Sequence, residues 1–120
     1  MTKGLVAFGC NACGGSCTAS TMHVDSIVCG TKSGSQGKKY GTATVIVKDN
    51  CGVAVSGVTV TGTFSGSYNE TRSGTTNSSG QAVLTTLTQV KTPSFSFCVD
   101  NLTGTLTYRS QDNTVTCSSY

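Results

Sequence analysis

Tryptophan is absent from this chain, histidine and proline occur once each, and charged side chains make up only 11% of it. Without tryptophan the sequence lacks the broadest aromatic platform for stacking a sugar ring. Sparse charge excludes disorder of the self-repelling kind, and the β-branched content is too high for a flexible Gly/Ser linker. Eight basic and five acidic residues leave a net charge of +3, and Lys38-Lys39 is the one adjacent basic pair. That is too little clustered charge to neutralise a run of phosphates, so no nucleic-acid partner is expected. No apolar run approaches the ~20 residues that cross a bilayer, so no membrane span is expected. The opening Met1–Gly9 is too short for a signal-peptide core, and any export signal is expected to lie outside this sequence.

What the chain does hold is 15 glycines, seven cysteines and abundant serine and threonine within 120 residues. That length is material for one domain, because domains usually run ~100–150 residues. Seven cysteines are many for a reducing compartment, so an oxidising, extracellular location is expected. The count is odd, which leaves at least one thiol free or bonded to another chain. Arithmetic alone does not choose among the possible pairings.

The composition breaks near residue 20. Residues 1–20 hold Cys10, Cys13 and Cys17 without a sustained apolar period and read as a Cys-rich N-terminal extension. From residue 21 to 120 short alternating runs alternate with turn residues. Ala43, Val45 and Val47 share one side of an extended chain, with Thr44 and Lys48 opposite. Val58, Val60, Gly62 and Phe64 alternate with Thr59, Thr61, Thr63 and Ser65. A period of two with β-branched residues is a half-buried strand. Gln81–Gln89, Ser94–Asp100, Thr103–Tyr108, Met22–Cys29 and Tyr68–Thr75 complete a set of about seven strands. Turn chemistry separates them at 32–37, 49–52, 77–80 and 111–113. The expected fold is therefore all-β, an immunoglobulin-like antiparallel β-sandwich of about seven strands.

The ordered segments at residues 22–28, 43–49, 55–66, 75–80 and 97–101, with Leu106-Thr-Tyr108, carry a resemblance that covers about residues 21–117. The chain resembles the bacterial immunoglobulin-like modules of large secreted proteins, which also stand C-terminal to extracellular proteases and other hydrolases. That resemblance implies a non-catalytic spacer, adhesive or anchoring role. It also implies a disulfide between Cys98 and Cys117. Cys29, Cys51 and the Cys-rich tail depart from the pattern, and the individual function is expected to lie in them.

Chemistry-bearing clusters are few. Cys10, Cys13, Cys17 and Cys29 contain enough sulfur for a zinc site, but a zinc ribbon needs a second close cysteine pair, which is absent. Disulfides, within the chain or between chains, are the expected role of Cys10, Cys13, Cys17, Cys29 and Cys51, and no metal or cofactor is expected. His23 falls in a strand among apolar neighbours, and a bonded cysteine beside it could not act as a nucleophile. Asp25, Asp49, Glu70, Asp100 and Asp112 are scattered, with no pair on an evident common face, so no enzymatic activity is expected. Asp49-Asn50 and Asp112-Asn113 read as Asx-turns in preference to calcium loops. Tyr40, Tyr68 and Tyr120 are candidate sugar-stacking groups, with Tyr108 expected to be buried along with Phe64, Phe95 and Phe97. Sequons at Asn69, Asn77 and Asn101 read as by-products of Ser/Thr-rich loops.

Two functions remain in play. In the first, Leu5, Val6, Ala7 and Phe8 form an extended segment that adds as a strand to another copy, giving a filament locked by the odd thiol. In the second, the chain is an accessory module that binds a polysaccharide or a surface ligand.

Overall fold

The computed structural model describes residues 17–120, so the expectations placed on residues 1–16, including Cys10, Cys13 and Leu5–Phe8, lie outside the described residues. Among the described residues eight strands form in chain order: β1 (Thr21–Ser33), β2 (Lys39–Asp49), β3 (Thr59–Gly66), β4 (Glu70–Thr75), β5 (Gln81–Val90), β6 (Phe95–Thr103), β7 (Thr107–Tyr108) and β8 (Cys117–Ser119). They make two four-stranded sheets, ordered β5-β2-β1-β7 and β4-β3-β6-β8, in an immunoglobulin-like sandwich. The pairing is antiparallel except for β7, which lies parallel to β1 over two residue pairs.

The alternation read from the sequence sets which side chains enter the core. Ala43, Val45 and Val47 of β2 face Val60 and Phe64 of β3, with Phe97 and Val99 of β6, in one buried cluster. Gly62 continues the inward face of β3 because a Cβ there would collide with the ring of Phe97. Phe64 sits at the aromatic centre, its centroid 4.8 Å from Phe97 and 5.8 Å from Phe95. Such inward faces stabilise the sandwich by roughly 1.5–3 kcal/mol per large side chain buried.

Several boundaries differ from the sequence reading, and each has a local cause. β1 runs on past Cys29 to Ser33, because Gly30–Ser33 pair with Lys39–Thr42 across a hairpin. Its reversal uses Gln36 and Gly37 at φ 55° and 74°, the left-handed region. The expected strand over Thr103–Tyr108 is only Thr107–Tyr108, since β6 itself continues to Thr103. β8 has three residues, too few to show a period, and accounts for the count of eight.

Two disulfides fasten the ends. Cys98 bonds Cys117, joining β6 to β8, with Cα atoms 4.0 Å apart. Cys17 bonds Cys51, with Cα atoms 5.7 Å apart, tying the residue that leads into β1 to the turn after β2. Around that turn Asn50 Oδ1 accepts the N–H groups of Ser20 and Thr21 at 2.8 and 3.2 Å. Asp49 Oδ1 accepts those of Cys51 and Val53 at 2.8 and 3.0 Å. The Asp49-Asn50 oxygens are thus engaged by main-chain donors, as an Asx-turn requires.

Candidate functional site

A sandwich has sheet edges, and an unpaired edge is a template for another strand. In the first sheet the edge along β5 differs from the edge that β1 presents beyond the two-residue β7. Along β5, the Arg72 Nε–H donates to the carbonyl of Thr85 at 2.9 Å, and the Glu70 carboxylate accepts the N–H groups of Leu87 and Thr88 at 2.6 and 2.9 Å. Both charged residues come from β4 of the opposite sheet, so that edge is capped. Burial alone would raise the Glu70 carboxyl; hydrogen bonds from the Thr88 side chain and from the Leu87 and Thr88 main chain, with the charge of Arg72, outweigh it and hold the group below the usual carboxylate range.

The β1 edge is covered only in its first third. There the carbonyls of Ser20, Met22 and Val24 accept the N–H groups of Thr107, Arg109 and Thr114, while the Val24 N–H donates to Asn113 Oδ1 at 2.7 Å. Beyond the bulge between Val24 and Ser26 the cover ends. The direction of the remaining groups follows from the register. Val24 sends its main-chain groups outward, and its partner Val47 sends its own away from β1, to Gly80 and Val55. The pairs Ile27↔Val45, Cys29↔Ala43, Thr31↔Gly41 and Ser33↔Lys39 continue that alternation. Gly41 agrees, because its N–H donates away from β1, to Thr86 Oγ1 at 3.0 Å. Ile27, Cys29, Thr31 and Ser33 therefore point N–H and C=O groups into an edge that has no main-chain partner among the described residues.

Cys29 marks the middle of this edge. Its half-buried side chain packs against the core, and it has no disulfide partner among the described residues. Burial pushes its thiol above the ordinary value, with a hydrogen bond to the Ser118 side chain acting the other way. Ser118 belongs to β8, so the thiol lies between the edges of the two sheets. On the outer face beside it, Val28 is 64% exposed, with Thr44 of β2 between it and the exposed Val83 of β5.

A second feature lies at the end of the other sheet. Ser65, Gly66, Ser94, Phe95, Ser96, Ser119 and Tyr120 line a shallow cleft of about 280 Å³. On the same outer surface Thr61 and Ser73 share a hydrogen bond at 3.2 Å, and Thr63 and Thr71 another at 3.1 Å. The serines and threonines of β3, β4, β6 and β8 thus form a hydroxyl-covered face around the Cys98–Cys117 bridge.

The other sequence candidates fall as follows. Tyr68 is no stacking platform: it is 1% exposed, packs on Gly41 and donates its hydroxyl to the carbonyl of Lys39 at 2.8 Å. Its ring fills the space left by that glycine, an arrangement that a period-two count does not reveal. Tyr40 and Tyr108 are half-buried, Tyr108 accepting a hydrogen bond from Asn113 Nδ2 at 2.8 Å. Tyr120 remains exposed. Cys17 is bonded to Cys51, so the thiolate set considered for zinc loses a member. His23 is half-buried opposite Lys48, which pairs with Asp25 at 3.4 Å. Asp112 accepts from Arg109 at 2.9 Å. Asn69, Asn77 and Asn101 are all exposed. No helix among the described residues is long and apolar enough to cross a membrane.

No family model matches this chain, and neither a curated protein nor a solved structure is significantly similar to it.

Proposed function

We propose that the protein is a non-catalytic extracellular building block, akin to the bacterial immunoglobulin-like modules, that assembles copy to copy by strand addition. Residues Leu5–Phe8 of one copy lie along the β1 edge of the next, between Ile27 and Ser33. The observation that carries this reading is that edge: seven residues, about 20 Å at the strand rise, without a main-chain partner among the described residues, on a sheet whose opposite edge is capped by Glu70 and Arg72. The occupant suits it on both faces. Leu5 and Ala7 alternate with Val6 and Phe8, so one pair faces the Ile27 and Cys29 side while the other meets the exposed Val28. Because donor and acceptor surfaces differ, the contact is head-to-tail and propagates as a filament.

The cysteine count supplies a lock. Among the described residues two bridges use Cys17, Cys51, Cys98 and Cys117 and Cys29 stands in the acceptor edge, while Cys10 and Cys13 follow the donor segment in sequence. One tail thiol and Cys29 form an intermolecular S–S bond, passing two electrons and two protons to oxidised glutathione, which leaves as two reduced thiols.

Sedimentation of the full chain tests this reading. Large species are expected that survive denaturant but dissociate with reductant and denaturant together. Leu5→Asp with Phe8→Asp is expected to leave monomers, and Cys29→Ser to leave assemblies that denaturant alone disperses. A monomeric wild-type chain under oxidising conditions, including one whose tail folds back on its own β1, refutes the proposal. A chain starting at Cys17 makes the matching control, since Cys17 belongs with the sandwich.

A further inference from the structure

On the side of the sandwich away from Glu70 and Arg72, β8 of the second sheet approaches the β1 edge, where the Ser118 side chain meets the Cys29 thiol. Beside β1 the next strand is β7, which ends at Tyr108. The chain stays along that edge as far as Thr114, whose N–H reaches the Val24 carbonyl, and then crosses to the second sheet as β8. From Ile27 to Ser33 the lane beside β1 therefore holds no strand among the described residues.

One aromatic side chain faces that lane from the other sheet. Cys117 and Ser119 pair with Cys98 and Ser96 and share the outer surface with them, so Ser118 and Tyr120 turn toward the core, level with Phe97 and Phe95. Phe64, Tyr68, Phe95 and Phe97 on the core side are all buried, whereas Tyr120 is 53% exposed. One face of its ring lies on Phe95, with centroids 5.4 Å apart and planes 14° from parallel, and its N–H donates to the Phe95 carbonyl at 2.9 Å. Three residues earlier the Cys98–Cys117 bridge fastens β8. The ring is thus held against the core and stays open toward the lane.

Its level along β1 follows from two contacts. Ser118 stands beside Cys29. Tyr68, its centroid 5.2 Å from Phe95, packs on Gly41, which is the partner of Thr31. Phe95, and with it Tyr120, therefore lies near Thr31, two residues beyond Cys29 along the open edge.

Resting on the strand-addition reading, we propose that Tyr120 is the anchor seat for the incoming strand, with Phe8 of the next copy beside Thr31 and its ring laid on Tyr120. A residue directly opposite Thr31 points to the same face as Thr31, which shares the inward side with Ile27 and Cys29. Phe8 is the one aromatic residue of the donor segment, and aromatic pairs bind beyond what their buried area contributes. No charged residue lies between Gly4 and Met22, so the segment carries no charge onto an apolar ring.

The protein's own tail falls short of this seat. The Cys17–Cys51 bridge and Asn50 hold it at the Thr21 end of β1, about 33 Å from Thr31 at the strand rise. From Phe8 to Cys17 the chain reaches at most about 32 Å fully extended. Beside Thr21–Val24 the direct path is already taken by β7 and Thr114. Phe8 must come from a second copy.

Sedimentation velocity of the full chain over a concentration series tests the seat, in the Cys29→Ser background that lacks the covalent lock. Tyr120→Ala and Phe8→Ala are each expected to raise the assembly midpoint about tenfold, and Tyr120→Phe to leave it within about threefold. Together the two alanine changes are expected to fall short of the product of their separate effects by about threefold or more, because each removes the same contact. Phe8→Trp introduces a tryptophan into a chain that has none, and its emission is expected to move to the blue on assembly. That readout does not depend on how Tyr120→Ala folds. A wild-type chain that stays monomeric overturns the seat together with strand addition. Assembly that Tyr120→Ala leaves unchanged, alanine effects that simply multiply, or tryptophan emission that stays at its water-exposed wavelength overturns the seat alone and leaves strand addition standing.

Discussion

A proline at position 31 separates the role of the β1 edge from the stability of the sandwich. Thr31 pairs with Gly41, and the alternation along β1 aims the Thr31 N–H outward, away from β2. Thr31→Pro therefore removes a donor that no described strand of the same chain uses and places a ring where an incoming strand would lie. Edge strands tolerate proline in this orientation. One residue earlier, Gly30 pairs with Thr42 and sends its N–H into the β1–β2 ladder. Gly30→Pro removes a ladder hydrogen bond and leaves its acceptor unpaired, and is expected to cost about 1–3 kcal/mol.

The size of the effect on assembly follows from the number of bonds lost. The open edge presents four residues, Ile27, Cys29, Thr31 and Ser33. A net hydrogen bond contributes ~1 kcal/mol, and the ring both deletes one and displaces the donor strand from its neighbour, so about 2 kcal/mol is lost. That corresponds to roughly 30-fold in the association constant. The assay pairs sedimentation velocity over a concentration series with thermal melting of the reduced, dispersed protein. Thr31→Pro is expected to shift the assembly midpoint about 30-fold while melting within about 5 °C of wild type. If Thr31→Pro assembles as readily as wild type, the added strand lies elsewhere. If it melts as low as Gly30→Pro, the register argument is wrong.

Removing the Cys98–Cys117 bridge, which spans 19 residues, by Cys98→Ala with Cys117→Ala is expected to cost ~3 kcal/mol in the chain-entropy description. Denaturant titration measures this, and a loss below about 1 kcal/mol would mean that β8 holds without it. Because the Glu70 carboxyl is held low in the folded chain, its contribution is present above the ordinary carboxylate range and is lost as pH falls through the depressed folded value. Glu70→Gln is expected to flatten the acid limb of the stability curve and to cost about 1 kcal/mol at neutral pH, an unchanged limb counting against the cap on β5. The Cys29 thiol, raised by burial, is expected to react with a small disulfide reagent slowly at neutral pH and faster as pH climbs past the ordinary thiol range. Ser118→Ala is expected to slow that reaction at a given pH, and a rate that levels off near pH 8 would contradict the burial.

The inward faces were legible because burial on a strand repeats every second residue. Ala43, Val45, Val47, Val58, Val60, Phe64, Phe95 and Phe97 are all in the core that their alternation indicates. Gly62 kept the rhythm only in position, since the reason for glycine is the Phe97 ring arriving from another strand. Tyr68 was misread for the same cause: its neighbours Phe64 and Phe95 and its acceptor on Lys39 come from three different strands or loops. β8 and the tail of β1 escaped because pairing, and not side-chain pattern, creates them. The polar Gly30–Ser33 run has nothing to bury and is extended only because Lys39–Thr42 faces it.

The candidate sites show the same division. Exposure of Tyr120 could be guessed from its type, but the ring of Phe95 behind it comes from a strand 25 residues earlier in the chain. The open edge is further still from sequence, since it is a property of what does not pair. Charged residues at Glu70 and Arg72 look like ordinary solvent-facing members of a short strand until the fold sets them against the main chain of β5. That placement gives the asymmetry its meaning. Sheet edges invite indiscriminate pairing, and capping one with charge while leaving the other bare limits addition on that sheet to a single side. In the proposed assembly a single receptive side and one apolar donor segment would together specify a direction of growth, which is the requirement for a linear polymer in place of an amorphous aggregate.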